Sequence, residues 1–254
     1  MMMLPWELAG AGILVTLGLA AAAVAARALT GPAGALAAVF GSVIVVLGGF
    51  PYLALLALFV LASGLATRYR FEEKRRRHLQ EGRRGERGIS NVLAHVIVPT
   101  ALVVLAVAEP RALPADALPL LYTAAIAFGG ADTFASEFGV LAGHARSLLT
   151  GRPVPPGTNG GVSATGQLWA LVGAGTTAAV AGGLFLLAGN PSSALTLLLV
   201  GATAAGFLSC QVDSLLGEIL ENRGLLSKGG TNLLGMLSAV ALAAGFFAVA
   251  GGLR

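Results

Sequence analysis

Eight apolar runs, each near the length that carries a helix across a bilayer, dominate the sequence. They leave little room for any other architecture. A spanning helix needs about 20 predominantly apolar residues, with a usual range of about 17–25. The runs are Leu8–Ala26, Ala33–Gly48, Pro51–Thr67, Val92–Ala108, Ala117–Ala131, Gly166–Ala188, Ser193–Gln211 and Asn232–Gly252. The second and third form an almost continuous stretch, but Gly48, Gly49 and Pro51 interrupt it and predict a tight hairpin. The fifth run is short, and its helix is expected to continue past Ala131 into the polar residues that follow. Only 11% of the residues are charged, against about 25% in a soluble domain, so lipid is the solvent this chain suits. The 36 glycines favour a packed bundle, because small residues let helices approach closely in lipid. The expected fold is all-α: a polytopic integral membrane bundle of about eight transmembrane helices, forming one transmembrane domain over residues 1–254. The N-terminus lacks the basic stretch of a signal peptide, so the run from Leu8 reads as a retained first helix. Cys210 stands alone in an apolar run and reads as a buried, inert thiol.

The charges are distributed unevenly. Arg68–Arg87 holds nine Lys/Arg and four Glu, which assigns the basic loop 68–90 to the cytoplasm. Eight spans then put Arg27, Arg146, Arg152, Arg223 and Lys228 on the same side, with only Arg111 and Arg254 opposite. Both termini are therefore expected outside, in the cell membrane. The basic loop reads first as a topology anchor lying on anionic lipid. A second reading has some of its arginines reaching a phosphorylated substrate. Nucleic acid is not an expected partner, since no folded binding module accompanies the run.

Acidic residues near the inner helix ends fall into two similar strings. Asp132-Thr133-Phe134-Ala135-Ser136-Glu137 and Asp213-Ser214-Leu215-Leu216-Gly217-Glu218 both read Asp, hydroxyl, two apolar, small, Glu. On a helix Asp132 stacks with Ser136, Thr133 with Glu137 and Ser214 with Glu218. Each string is followed by Gly-Thr-Asn, at 157–159 and at 230–232, and then by a helix. This suggests an internal parallel repeat, with motif loops at 132–165 and 212–231. Ionisable residues at such depth are functional candidates by default. Oxygen ligands at helix ends suit Mg²⁺, which keeps waters and pairs with substrate phosphates. The predicted metal set is Asp132, Glu137, Asp213 and Glu218. The glycine-rich stretch 155–163 offers backbone N–H groups to an anion before a helix, although it has no Walker A sequence. Its bland alternative is a tight turn with Thr158 or Asn159 as helix cap. His78, His95 and His144 lack metal-ligand spacing, and His95 reads as packed within its helix.

The strings ADTFASEFG, VPPGTNGGVSATG and DSLLGE followed by GTNLL, with LTGPAGALAAVFG at the second helix, resemble the membrane family called domain of unknown function ninety-two. Its plant members include the phytyl-phosphate kinase of the vitamin E pathway. The resemblance covers nearly the whole chain. It implies a kinase that converts a prenyl monophosphate to the diphosphate with a nucleoside triphosphate and Mg²⁺. A distant likeness to dolichol and phytol kinases makes CTP the expected triphosphate. Carried over by position, Asp132, Ser136, Glu137, Gly157, Thr158, Asn159, Gly160, Gly161, Ser163, Asp213, Ser214 and Asn232 match. Asn91-Val92-Leu93-Ala94-His95 departs from the family's usual string at this point. The implied roles are metal binding by Asp132 and Asp213 with Glu137 and Glu218. Gly157–Ser163 would cradle the nucleotide, with Ser136, Ser214 and Asn232 nearby. Arg87 or Arg146 would neutralise the acceptor phosphate. The expected partners are the isoprenoid phosphate, the nucleotide and membrane lipids, and a homo-oligomer is compatible with the pattern. The alternative from a different class is a lipid-phosphate transporter or flippase, which would set its polar residues near mid-membrane.

Overall fold

A computed structural model of the chain describes residues 5–82 and 84–252. Its helices are α1 (Trp6–Ala25), α2 (Gly31–Gly48), α3 (Phe50–Arg68), α4 (Phe71–Arg76), α5 (Ile89–Ala108), α6 (Leu118–Gly139), α7 (Ala164–Leu187), α8 (Leu195–Leu216) and α9 (Lys228–Gly252). Eight of them, all but α4, are long and apolar enough to cross a membrane. Each of the eight apolar runs lies on one of these helices. Gly49 makes the hairpin between α2 and α3 with φ of +98°, a conformation that glycine adopts at little cost. Helix α6 does continue past Ala131, so the first acidic string is helical throughout.

The all-α expectation needs one amendment. The loop between α6 and α7 folds into a small antiparallel sheet of β1 (Ala145–Ser147), β2 (Pro153–Val154) and β3 (Gly161–Val162), in the order β2-β1-β3. These short strands satisfy backbone groups that a bare loop would leave to solvent.

Helix α6 is the axis of the bundle, with Leu118, Tyr122, Ala125, Ile126 and Phe128 fully or almost fully buried. Large apolar side chains such as Leu14, Leu61, Leu187 and Val200 face outward instead, as a lipid-facing surface requires. Glycines set the closest approach. A Cβ on Gly173 of α7 would lie 2.3 Å from the carbonyl oxygen of Gly130 on α6, and one on Gly206 of α8 would lie 2.8 Å from Ala127. The obstacle at Gly173 is backbone, so the helices would have to part. Gly173→Ala is expected to destabilise the bundle by about 1–3 kcal/mol. Gly245→Ala, with open space around it, should leave stability unchanged. Thermal unfolding in detergent compares the two.

The helix order places the connections 26–30, 69–88, 140–163 and 222–227 at one end of the bundle. Among the described residues every Lys and Arg except Arg111 lies there, as the charge pattern requires. Arg83 and Arg254, both counted in that pattern, lie outside the described residues. The segment 69–88 is stitched down at both ends. Lys74 donates to Glu137 at 2.5 Å and to the Ala66 carbonyl at 3.1 Å. Arg87 N–H donates to the Ala28 carbonyl, and Thr30 N–H to the Arg87 carbonyl.

Candidate functional site

At this basic end lies a cavity of about 330 Å³. The last turns of α6 and α8, the first turns of α7 and α9, the loop 156–163 and residues 78–81 enclose it. Asp132 and Asp213 both line it, close enough to feel each other's charge. The charges of Lys228, which also lines the cavity, and of Arg87 both bear on Asp132. One oxygen of Asp213, Oδ1, is buried without a hydrogen-bond partner, a costly state for a carboxylate that no cation or donor relieves.

The two acidic strings place their parts by helical geometry. Residues four apart share a face, whereas residues five apart differ by about 140°. Asp132 and Ser136 therefore face the cavity together, as do Asp213, Gly217 and Glu221. The glutamates at the fifth position are engaged with other partners, although Glu137 still borders the cavity. Glu137 is buried, with one oxygen taken by Thr67 at 2.6 Å and the other by Lys74. Glu218 accepts from the Ser147 hydroxyl and from Leu149 N–H, which fixes the β-sheet loop against α8. Glu137 borders the cavity and Glu218 does not, but the oxygens of both are committed to these bonds, which makes them anchors here rather than free ligands for a metal. Residues Gly217–Glu221 wind as a π-helix, and Glu221, held by Thr231 Oγ1 at 3.1 Å, reaches the cavity from the end of α8, where Glu218 does not.

The glycine-rich loop forms the cavity's outer wall, with Gly157, Thr158, Asn159, Gly160 and Gly161 all lining it. Gly157 and Gly160 have φ of +84° and +77°, where a side chain would be strained. A Cβ at Gly160 would lie 2.3 Å from that of Glu218. Thr158 hydroxyl and N–H both donate to the Pro155 carbonyl. Neither Thr158 nor Asn159 caps α7; Ser163 does, accepting from Gly166 N–H at 3.0 Å. Ser163, Ser214 and the buried Asn232 also line the cavity. The second Gly-Thr-Asn differs from the first, since Gly230, Thr231 and Asn232 lie within the first turns of α9 rather than in a loop. The correspondence between the two halves stops there.

The two arginines separate. Arg146 lies on β1, exposed, and donates to the Gly151 carbonyl at 3.0 Å; it does not line the cavity, which corrects its expected place beside a substrate phosphate. Arg87 is buried, does not line the cavity, and donates to Asn91 Oδ1 at 3.1 Å. The Asn91 carbonyl accepts from His95 Nδ1 at 2.8 Å, and the imidazole stacks on Phe59. Asn91 therefore links Arg87 to a packed histidine, which gives this departing string a common structural task.

Lys228, Glu81 and Gln167 line the cavity although the sequence reading gave them no part in a site. Lys228 Nζ pairs with Glu81 Oε2 at 2.9 Å. Burial pushes the Glu81 carboxyl up, but Lys228, with Arg87 and His95 beyond it, outweighs this and holds it below its ordinary 4.5. The pair's small stabilisation is therefore present above pH 4.5 and lost as the pH falls through the lower folded value. Lys228 stands two residues before a Gly-Thr-Asn string, a signal that its count among topological charges obscured.

A family model described as "Integral membrane protein DUF92" matches residues 14–250. The chain belongs to the DUF92 family. It is 31% identical to an uncharacterized membrane protein of Methanocaldococcus jannaschii over 77% of this chain and 76% of that one. It is 36% identical to an uncharacterized membrane protein of Synechocystis over 86% and 82%. It is 34% identical to Protein PGR of Arabidopsis thaliana over 70% and 67%. No solved structure matches the chain. Membership of DUF92 makes it an integral membrane protein, and the match spans the acidic strings, the glycine-rich loop and the eight long helices from the middle of α1 onward.

Proposed function

We propose that this DUF92 protein is a membrane kinase that phosphorylates a prenyl monophosphate to its diphosphate with a nucleoside triphosphate, CTP being the expected one, and Mg²⁺. The observation that carries the reading is the cavity itself: Asp132 and Asp213 face a positive-φ glycine loop at one end of an apolar bundle. An isoprenoid phosphate keeps its tail in the bilayer and its phosphate at such an end, which the positive-inside rule makes cytoplasmic. The oxygen-only donors and the unpartnered Asp213 Oδ1 fit Mg²⁺. Among the described residues no three His, Cys, Asp or Glu side chains gather as a metal cage. One or two carboxylates completed by substrate phosphates need none. Bound Mg²⁺ would neutralise charge on the transferred phosphoryl group. Asp132 and Asp213 would hold it, and the backbone of 157–161 would orient the nucleotide phosphates. Arg87, behind Asp132, would stabilise the cluster's charge from outside the cavity. Such positioning is most of what phosphoryl transfer asks of a protein.

The polar groups gather at one end rather than at mid-membrane, which favours surface catalysis over the transporter reading. The test incubates purified protein with phytyl and geranylgeranyl phosphate and each labelled nucleoside triphosphate. Label is expected in a prenyl diphosphate, with CTP the preferred donor, and chelation by EDTA should abolish it. No diphosphate from any combination, or flux of lipid phosphate across vesicles without nucleotide, would sink the proposal.

A further inference from the structure

Two lysines hold the segment 69–88 over the cavity, and they do so in different ways. Lys74 is fully buried against an almost buried Glu137, a lasting anchor. Lys228 is more than half exposed at the cavity rim, and Glu81 is its one carboxylate partner within ion-pair distance among the described residues. An ion pair this open to solvent holds weakly and exchanges readily. With Lys74 at one end and the Arg87–Ala28 backbone bond at the other, the strap meets the cavity, among the described residues, through its middle, His78–Glu81. Leu79 lies over Gly157 of the glycine-rich loop, so the Glu81 contact closes the strap onto the loop proposed to cradle phosphates.

We infer that Lys228 is the phosphate-binding cation of the nucleotide site and that Glu81 is its placeholder, occupying the ammonium until the triphosphate takes it. This rests on the kinase reading and adds to it the residue that grips the donor. The chemistry favours a lysine here: its ammonium is a compact charge with three rotatable donors, free to pass from one oxyanion to another. Lys228 opens α9, and Thr231 and Asn232 of the same helix line the cavity behind it. Asp132 and Asp213 line the same cavity, so a triphosphate there would meet both the ammonium and the carboxylates proposed to hold Mg²⁺. When phosphate displaces Glu81, the strap middle is released.

The inference is tested by calorimetric titration of the purified protein and its variants with CTP and with inorganic tripolyphosphate, both with Mg²⁺, and with geranylgeranyl phosphate alone. Lys228→Ala should weaken CTP and tripolyphosphate at least 10-fold and leave geranylgeranyl phosphate within twofold. Glu81→Gln should tighten CTP about 3- to 10-fold, a gain that misfolding cannot produce. In the Lys228→Ala background that gain should vanish. Unchanged CTP affinity in Lys228→Ala, or a loss confined to geranylgeranyl phosphate, overturns the assignment while the kinase reading stands. A Glu81→Gln gain that survives without Lys228 overturns the placeholder role. Failure of the unaltered protein to bind any of the three overturns both the assignment and the reading beneath it.

Discussion

Asn in place of Asp132 or Asp213 is expected to lower kcat for prenyl diphosphate formation by about 10²–10³-fold, the usual cost of removing one group that stabilises transition-state charge. The substitution keeps size and shape and removes only the negative charge. Both carboxylates line the same cavity and feel each other's charge, so the folded structure should lose nothing from either change. Relief of their mutual repulsion should even raise thermal stability slightly in the absence of Mg²⁺. The opposite pattern is expected at the glutamates five residues on. Glu218→Gln keeps the bulk that fills the space beside Gly160 but weakens the bonds from Ser147 and Leu149. It should loosen the loop and raise the KM for nucleotide several-fold, with kcat little changed. Steady-state kinetics with Mg²⁺ varied separates the two classes. Equal kcat losses at Asp213 and Glu218 would mean that both are metal ligands and that the anchoring role of Glu218 is wrong.

That contrast shows what the sequence could and could not reveal. Span positions and sidedness were legible because they depend on composition along one dimension: eight apolar runs, and basic residues between alternate pairs. The site's location was legible for the same reason, since Asp132, Gly157–Ser163 and Asp213 are all linked to one end of the bundle by chain order. The division of labour within each string was not. Asp132 and Glu137 look like equivalent carboxylates in a linear pattern and both border the cavity; the arrival of Lys74 from 63 positions away and of Thr67 is what ties up Glu137. Glu81 and Lys228 lie 147 positions apart. Lys228 stands beside a Gly-Thr-Asn string, but nothing local to either residue announces their meeting, which is made by the strap's path. The apparent repeat misled in a similar way. Identical Gly-Thr-Asn strings adopt different structures, a loop at 157–159 and a helix at 230–232, because the first is surrounded by Pro155, Pro156, Gly160 and Gly161 while the second is followed by an uninterrupted apolar helix.

Lys74 carries the second large effect. Its ammonium has no solvent exposure, and its charge is balanced by Glu137 alone among the acids within bonding distance. Lys74→Ala leaves the Glu137 carboxylate buried with only the Thr67 hydroxyl to hold it. Breaking a buried ion pair on one side typically costs about 3–5 kcal/mol, much more than an exposed pair is worth. The loss should appear as a large fall in Tm in detergent. It should also appear as rapid tryptic cleavage at Arg75–Arg77, since Lys74 is the stitch that fastens α4 to α6. Replacing both partners by apolar residues, Lys74→Met with Glu137→Leu, removes the uncompensated charge and should restore most of the stability, because buried pairs often gain little over well-packed apolar substitutes. Activity should follow the strap rather than the stability. The double variant loses the Lys74 bond to the Ala66 carbonyl, so its strap is held at the Arg87 end and at Glu81 alone. It should therefore fold well, yet resist trypsin less than the unaltered protein until nucleotide is added and then less still. Protection of the strap by nucleotide would contradict this, because it would mean that the bound triphosphate closes the strap instead of taking Lys228 from it.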